Sequence, residues 1–135
     1  MNAKIQGLLD KKIAFVGSES EGKPYIKAVI ITNREGNDTF YFDSNHDSLR
    51  AEHWKRNPNA CLYFYGTPIY RGVMLSGTME IIDDLEIKKQ QWKRSKQSIY
   101  KAGVTDPDYC IMKFTATKGR YYSMYETEDF DISEL

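Results

Sequence analysis

Apolar positions change period along the chain, and each change marks an element. Ile5, Leu8 and Leu9 recur at helical spacing and predict a short opening helix. Lys12 to Ser18 predicts a first strand, Glu21-Gly22-Lys23-Pro24 a turn, and Tyr25 to Asn33, rich in β-branched residues, a second strand. Arg34-Glu35-Gly36-Asn37-Asp38 reads as another turn before a third strand, Thr39-Phe40-Tyr41-Phe42, so the chain should open as an antiparallel meander.

The period then shifts from two to about 3.6. After Ser44-Asn45-His46-Asp47 a helix is expected to run to about Arg56, with Leu49, His53 and Trp54 near one face and Asp47 or Ser44 as N-cap. Asn57-Pro58 ends it, because proline disfavours helical geometry in the residue before it. Ala60 to Gly66 and Tyr70 to Ile82 return to strand patterning. Asp83-Asp84 is expected to cap a helix running through Trp92 toward Tyr100. Ala102 to Asp108 reads as a loop, in which Asp106 and Asp108 favour turns. Cys110 to Thr117 and Arg120 to Tyr125 predict a closing hairpin around Lys118-Gly119, and acidic Glu126 to Leu135 is expected to be frayed or ordered by a partner. Six or seven strands with short helices between them predict a mainly β fold: one domain over residues 1–135, a small antiparallel β-barrel with flanking helices. Ten tyrosines exceed what so small an interior can hide, so some aromatics should face a partner chain.

Composition narrows the function classes. The 135 residues suit one domain, and the 41% hydrophobic and 28% charged fractions are those of a globular protein. Nineteen basic and nineteen acidic residues give a net charge of zero, which argues against a nucleic-acid partner. The first ten residues lack the apolar core of a signal peptide, and no run approaches the ~18 apolar residues that span a membrane. A cytoplasmic protein without a membrane partner is expected. Cys61 and Cys110 form no CxxC and lie in apolar, strand-like segments, where they read as small buried hydrophobes. His46 and His53, the only histidines, have no carboxylate at an evident ligand spacing, so no metal site is expected. Trp54 and Trp92 read as packing residues, and no nucleophile–base arrangement stands out.

The stretch Thr39 to Pro58 carries most of the chemistry. A strand ending at Phe42 turns through Asp43-Ser44-Asn45 into a helix starting near Asp47 or Ser48. The first turn of a helix presents unpaired N–H groups which, with the helix dipole, attract phosphate. Ser48 can add a hydroxyl donor there and Arg50 a bidentate guanidinium. On the second strand, alternation places Tyr25, Lys27, Val29 and Ile31 on one face. Lys27 is the only charge in that run, and either lies on a solvated face or neutralises a bound anion.

The sequence resembles the pyridoxamine 5'-phosphate oxidase-like FMN-binding split-barrel family, in particular its general stress protein-like branch. The resemblance spans nearly the whole chain. It is carried by Lys12-Ile13-Ala14-Phe15-Val16-Gly17, Gly22-Lys23-Pro24-Tyr25, Phe40-Tyr41-Phe42, Ser48-Leu49-Arg50 and Asn57-Pro58-Asn59-Ala60. It continues through Leu62-Tyr63-Phe64-Tyr65, Gly72 to Glu80, Thr105 to Cys110 and Gly119-Arg120-Tyr121-Tyr122. It implies FMN as cofactor, held in a homodimer. The family's phosphate-reaching basic residue on the second strand falls on Lys27, and the flavin-lining positions after it on Ala28, Val29 and Ile30. The position near the pyrimidine edge of the ring falls on Thr32, and the turn after the third strand on Asp43 and Ser44. The helix-start pair falls on Ser48 and Arg50, and a contact from the partner subunit near Arg71 and Gly72.

Departures bear on the activity. Pyridoxamine 5'-phosphate oxidase has a substrate-contacting lysine where this chain has Thr32, and a glutamine where it has Gly72. Asp43 stands near a position where the family often has threonine or tyrosine, and the chain is expected to lack the segment that completes the vitamin site. The resemblance therefore implies a flavin-dependent oxidoreductase of another small-molecule substrate or electron acceptor. The alternatives are a flavin-binding stress module without turnover, or a related barrel that binds haem or a deazaflavin.

Overall fold

In a computed structural model of the chain, residues 2–67, 70–92 and 100–135 are described. Helix α1 (Asn2–Leu9) opens the chain and buries Ile5, Leu8 and Leu9, the three residues whose spacing predicts it. Strands β1 (Ile13–Ser20) and β2 (Lys23–Ile30) form a hairpin whose turn is confined to Glu21 and Gly22, both at positive φ. Pro24 thus sits inside β2, tolerated because β2 is an edge strand of the sheet.

The expected second strand is broken. β2 stops at Ile30, and β3 (Asn33–Glu35) pairs with β4 (Thr39–Asn45) at the opposite end of the sheet. The two residues between them bridge the two edges: Ile31 N–H donates to the Lys12 carbonyl at 2.7 Å and Thr32 N–H to the Tyr41 carbonyl at 2.8 Å. The Arg34–Asp38 turn is correspondingly shorter, limited to residues 36–38, with Gly36 at positive φ.

The remaining elements are α2 (Leu49–Arg56), β5 (Asn59–Gly66), β6 (Arg71–Ile82), α3 (Leu85–Gln91), β7 (Tyr109–Tyr122) and β8 (Thr127–Asp131). All pairings are antiparallel, in the order β2-β1-β5-β6-β7-β4-β3, with β8 on β7. The eight-stranded sheet curls without closing, a split barrel, as the sequence implies. α3 begins at the cap Asp84 as expected and its C-cap is Trp92. The stretch 93–99, over which the helix was expected to continue, lies outside the described residues.

The hairpin expected at Lys118-Gly119 does not exist. β7 runs unbroken through both residues, and the turn comes at Ser123–Glu126, where the Ser123 hydroxyl accepts from the Tyr125 and Glu126 amides. The expected frayed tail is instead β8, with Phe130 packed on Gly119. Glycine is there to admit that ring: a Cβ at position 119 would stand 2.3 Å from Phe130 Cζ.

The sheet has two unlike faces. One encloses the core, with Val16, Phe40, Phe42, Leu62, Phe64, Leu75 and Phe114 packed against α1 and α2. The other follows from the register. Ile30 stands opposite Ile13 and Phe15 opposite Tyr63, while Tyr63 pairs with Met74 and Gly72 with both Tyr65 and Tyr122. This outer face is apolar and open, with Ile26 75% and Ile30 66% exposed. It holds one cleft of about 550 Å³ walled by Pro24, Ile26, Ala60 and Cys61, and another of about 370 Å³ among Tyr63, Tyr70, Met74 and Tyr122. Cys61 and Cys110 are free thiols, half-buried and buried, and burial pushes Cys110 up to about 12. No helix is long and apolar enough to cross a membrane among the described residues.

Candidate functional site

The segment between β4 and α2 differs from expectation by three residues. β4 continues through Asp43, Ser44 and Asn45, and the turn falls on His46 and Asp47. Neither Asp47 nor Ser44 caps α2. Ser48 does, its hydroxyl accepting from the Ala51 amide at 3.1 Å. The longer strand explains the shift, since every residue of β4 through Asn45 pairs with β7. Ser44 remains beside the cap, its hydroxyl 3.2 Å from that of Ser48.

This geometry leaves donors free at the helix start. Leu49 and Arg50 N–H have no intrahelical acceptor, because they precede the first i→i−4 bond. Arg50 is half-buried, its Nε is buried without a hydrogen-bond partner, and desolvation pushes its guanidinium down. A buried guanidinium donor without a partner is costly, so this face is suited to hold an anion that would accept from it.

Lys27 reaches the same side of the sheet. Tyr25, two residues before it on the same strand face, packs its ring 4.6 Å from His53 of α2, and Val29, two residues after it, packs on the core. His53 is itself buried, its Nδ1 2.8 Å from the Ser18 hydroxyl, and lies one turn beyond Arg50. Neither Lys27 nor Arg50 has a carboxylate partner among the described residues. Thr32 stands at the split between the sheet edges, its hydroxyl donating to the Tyr41 carbonyl at 3.2 Å.

The structure brings together Ser44, Ser48 and Arg50, with Lys27 on the strand facing α2. It separates the others. Ala28 and Ile30 lie on the outer face, by alternation from Val29. Asp43 lies on the opposite face of β4 from Ser44, where the Tyr109 hydroxyl donates to it at 3.4 Å. Gly72 belongs to the outer face beneath Tyr63, whereas Arg71 lines a cavity under α1.

Sequence reasoning missed the layer behind the β4–α2 turn. Tyr100 donates to the Ser44 carbonyl at 3.1 Å and to the Asn45 side chain at 2.7 Å, and its ring packs on Tyr109 and Trp92. Burial beside Asp43 pushes the Tyr100 phenol up to about 12, so it donates throughout the neutral range. Lys88, 6% exposed, bonds Asp83 at 2.6 Å, and His46 Nε2 lies 3.3 Å from the same carboxylate. No local pattern announces a buried lysine, because its partner lies before the helix cap. No group of three metal-ligating side chains occurs among the described residues.

Comparison with known proteins gives this arrangement its context. The model of the family described as pyridoxamine 5'-phosphate oxidase matches residues 1–123. A pyridoxine/pyridoxamine 5'-phosphate oxidase of Photobacterium profundum is 27% identical over 126 residues, covering 89% of this chain and 59% of that protein. The chain spans about half the length of the curated relatives it matches. A crystal structure from Clostridium acetobutylicum is of a protein related to general stress protein 26 of B. subtilis (pyridoxinephosphate oxidase family). It is 34% identical with a TM-score of 0.83, covering 98% of this chain and 92% of that one. More distant structures share the fold alone. They include an FMN-binding protein of Nostoc punctiforme at 10% identity, TM-score 0.68, covering 94% of this chain and 83% of its own. A heme-binding protein of Mycobacterium smegmatis is 12% identical, TM-score 0.73, covering 96% and 56%. The chain belongs to the pyridoxamine 5'-phosphate oxidase family.

Proposed function

We propose that this protein binds FMN as a homodimer and is a cytoplasmic flavin-dependent oxidoreductase of a substrate other than a pyridoxine or pyridoxamine phosphate. The observation that carries the cofactor assignment is Arg50, with its buried, unpartnered Nε in the first turn after the Ser48 cap. An FMN phosphate would accept from the Arg50 guanidinium, the free N–H groups of Leu49 and Arg50, and the Ser48 hydroxyl, with Lys27 supplying a second positive charge. Val29 and Thr32, along the strand from Lys27 to the split, would flank the flavin, with Ala28 and Ile30 on the side a partner covers. A bound flavin supplies hydride or electron transfer, and the chain's task is to anchor it and shield one face.

The second copy is the natural cover for the outer face. So large an open apolar surface is rare on a monomer, and the flavin ring needs walls that one barrel supplies only in part. Gly72 would approach the partner's flavin from that face. Thr32 and Gly72, which stand for the family enzyme's lysine and glutamine, argue against pyridoxal phosphate synthesis.

A haem-binding reading rests on the M. smegmatis fold alone, whereas the buried, unpartnered Arg50 Nε favours a ligand that carries a phosphate. The test is the absorption spectrum of the purified protein, with identification of the released cofactor and the mass by sedimentation. Flavin bands, released FMN and a mass about twice 15.7 kDa are expected. A haem spectrum, or an FMN-saturated monomer in dilute solution, overturns the reading.

A further inference from the structure

A second cationic site lies at the other end of β1. Lys4, Lys11 and Arg71 line a cavity of about 410 Å³ between α1 and the adjoining ends of β5 and β6 at Gly66, Thr67 and Arg71. Ala3, Gly7 and Gly66 keep it open, Leu8 lies against Gly66, and Thr67 adds a hydroxyl. No carboxylate lines it among the described residues. Asp10, the only acidic residue among the first eighteen, is engaged by Arg34.

What sets Lys4, Lys11 and Arg71 apart is that they share one concavity, and none of the three has a carboxylate partner among the described residues. Helix electrostatics accounts for Lys11, which follows the C-terminus of α1 and donates its N–H to the Leu8 carbonyl at 3.1 Å. It does not account for Lys4, whose charge falls in the first turn, where a cation is unfavourable, nor for Arg71 at the start of a strand. In a chain of zero net charge, three uncompensated cations around one concavity make a local positive field.

We propose that this cavity binds a small phosphorylated molecule, with its phosphate between Lys4, Lys11 and Arg71 and the Thr67 hydroxyl as a further donor. The site is separate from the start of α2. α1 packs on β5 and β6 with Leu8 against Gly66, beside the Ile13 end of β1, whereas α2 meets β1 at Ser18, about 16 Å further along an extended strand. A small ligand suits the site better than a nucleic acid, since the positive field is confined to one pocket.

Inorganic pyrophosphate is the probe, titrated into the full chain at constant ionic strength against chloride and followed by amide NMR. Saturable shifts at Gly7, Lys11, Gly66 and Thr67 are expected. Lys4 and Lys11 are exposed and unpartnered, so the Lys4→Gln/Lys11→Gln double variant should fold as the parent does. It should bind at that site about tenfold or more weakly, as should Arg71→Gln. Shifts at Leu49 and Arg50 report the α2 site separately and should not change in the Lys4→Gln/Lys11→Gln variant, so each site stands or falls alone. Shifts that grow linearly, match those caused by chloride or appear only at α2 overturn the proposal. So does tighter binding of a single-stranded oligonucleotide than of pyrophosphate at the same residues.

Discussion

The Tyr63 phenol lies directly over Gly72, so that a Cβ at position 72 would stand 2.0 Å from its hydroxyl oxygen and 2.4 Å from Cζ. The two residues divide one space on the outer face. Gly72→Ala should therefore force the ring off its site and cost about 1–3 kcal/mol. In a Tyr63→Ala background the same change should cost less than half as much. Urea unfolding of the four proteins in the cycle measures this, and equal costs in both backgrounds would show that the ring yields freely.

Phe130 and Gly119 make the corresponding pair on β8. Phe130 is 8% exposed and its ring covers the glycine. Phe130→Ala should destabilise by about 3 kcal/mol, the usual cost of emptying a buried phenylalanine site. A frayed C-terminus would lose less than about 0.5 kcal/mol, as surface substitutions do. The shift in denaturation midpoint separates the two.

These pairs also mark where the sequence stops being legible. The opening helix, the β1–β2 hairpin, the Asn57-Pro58 stop and the long β6 announce themselves through local periodicity and turn residues. Gly119 reads as a turn because a glycine beside a lysine is a turn signal. Its actual role depends on a ring eleven residues away, which no local pattern reveals. The break after Ile30 is hidden for a similar reason: Ile31 and Thr32 are good strand residues, and only their bonds to opposite sheet edges end the strand. At the candidate site, Ser48 and Arg50 were visible as a helix-start pair, and Lys27 as a lone charge. Tyr100 and Lys88 were not, because tertiary contact alone buries them.

Asp83 offers a pH test of the layer behind the site. The Lys88 ammonium, bonding it at 2.6 Å, and His46 beside it hold its carboxyl below the ordinary aspartate range. A depressed folded-state value stabilises the fold above the unfolded value near 4, and the effect is lost as pH falls through the folded value. Asp83 is 63% exposed, so solvent screening limits the gain to about 1 kcal/mol. Asp83→Asn should thus be less stable than the parent at pH 7, and the gap should close toward pH 3. Denaturant midpoints at both pH values decide it. A gap that persists at pH 3 would mean the side chain acts through packing rather than charge.

The phosphate assignment makes the sharpest prediction. The Arg50 Nε is buried without a partner and Lys27 has no counter-charge among the described residues, so both should gain from an anion of charge about −2. A hydrogen bond to a charged group is worth about 1.5–3 kcal/mol, so Arg50→Ala should weaken FMN about tenfold to a hundredfold. Lys27, exposed on its edge strand, should matter less, since solvent screens its charge. Riboflavin lacks the phosphate. It should bind the parent poorly and be nearly indifferent to either change, because nothing it presents reaches the α2 start. Titrating both ligands against the parent, Lys27→Ala and Arg50→Ala, with flavin fluorescence as readout, separates a phosphate contact from damage to the scaffold. If both ligands weaken by the same factor in Arg50→Ala, the guanidinium supports the fold and the phosphate lies elsewhere. If only FMN weakens, the unpartnered Nε has found its acceptor.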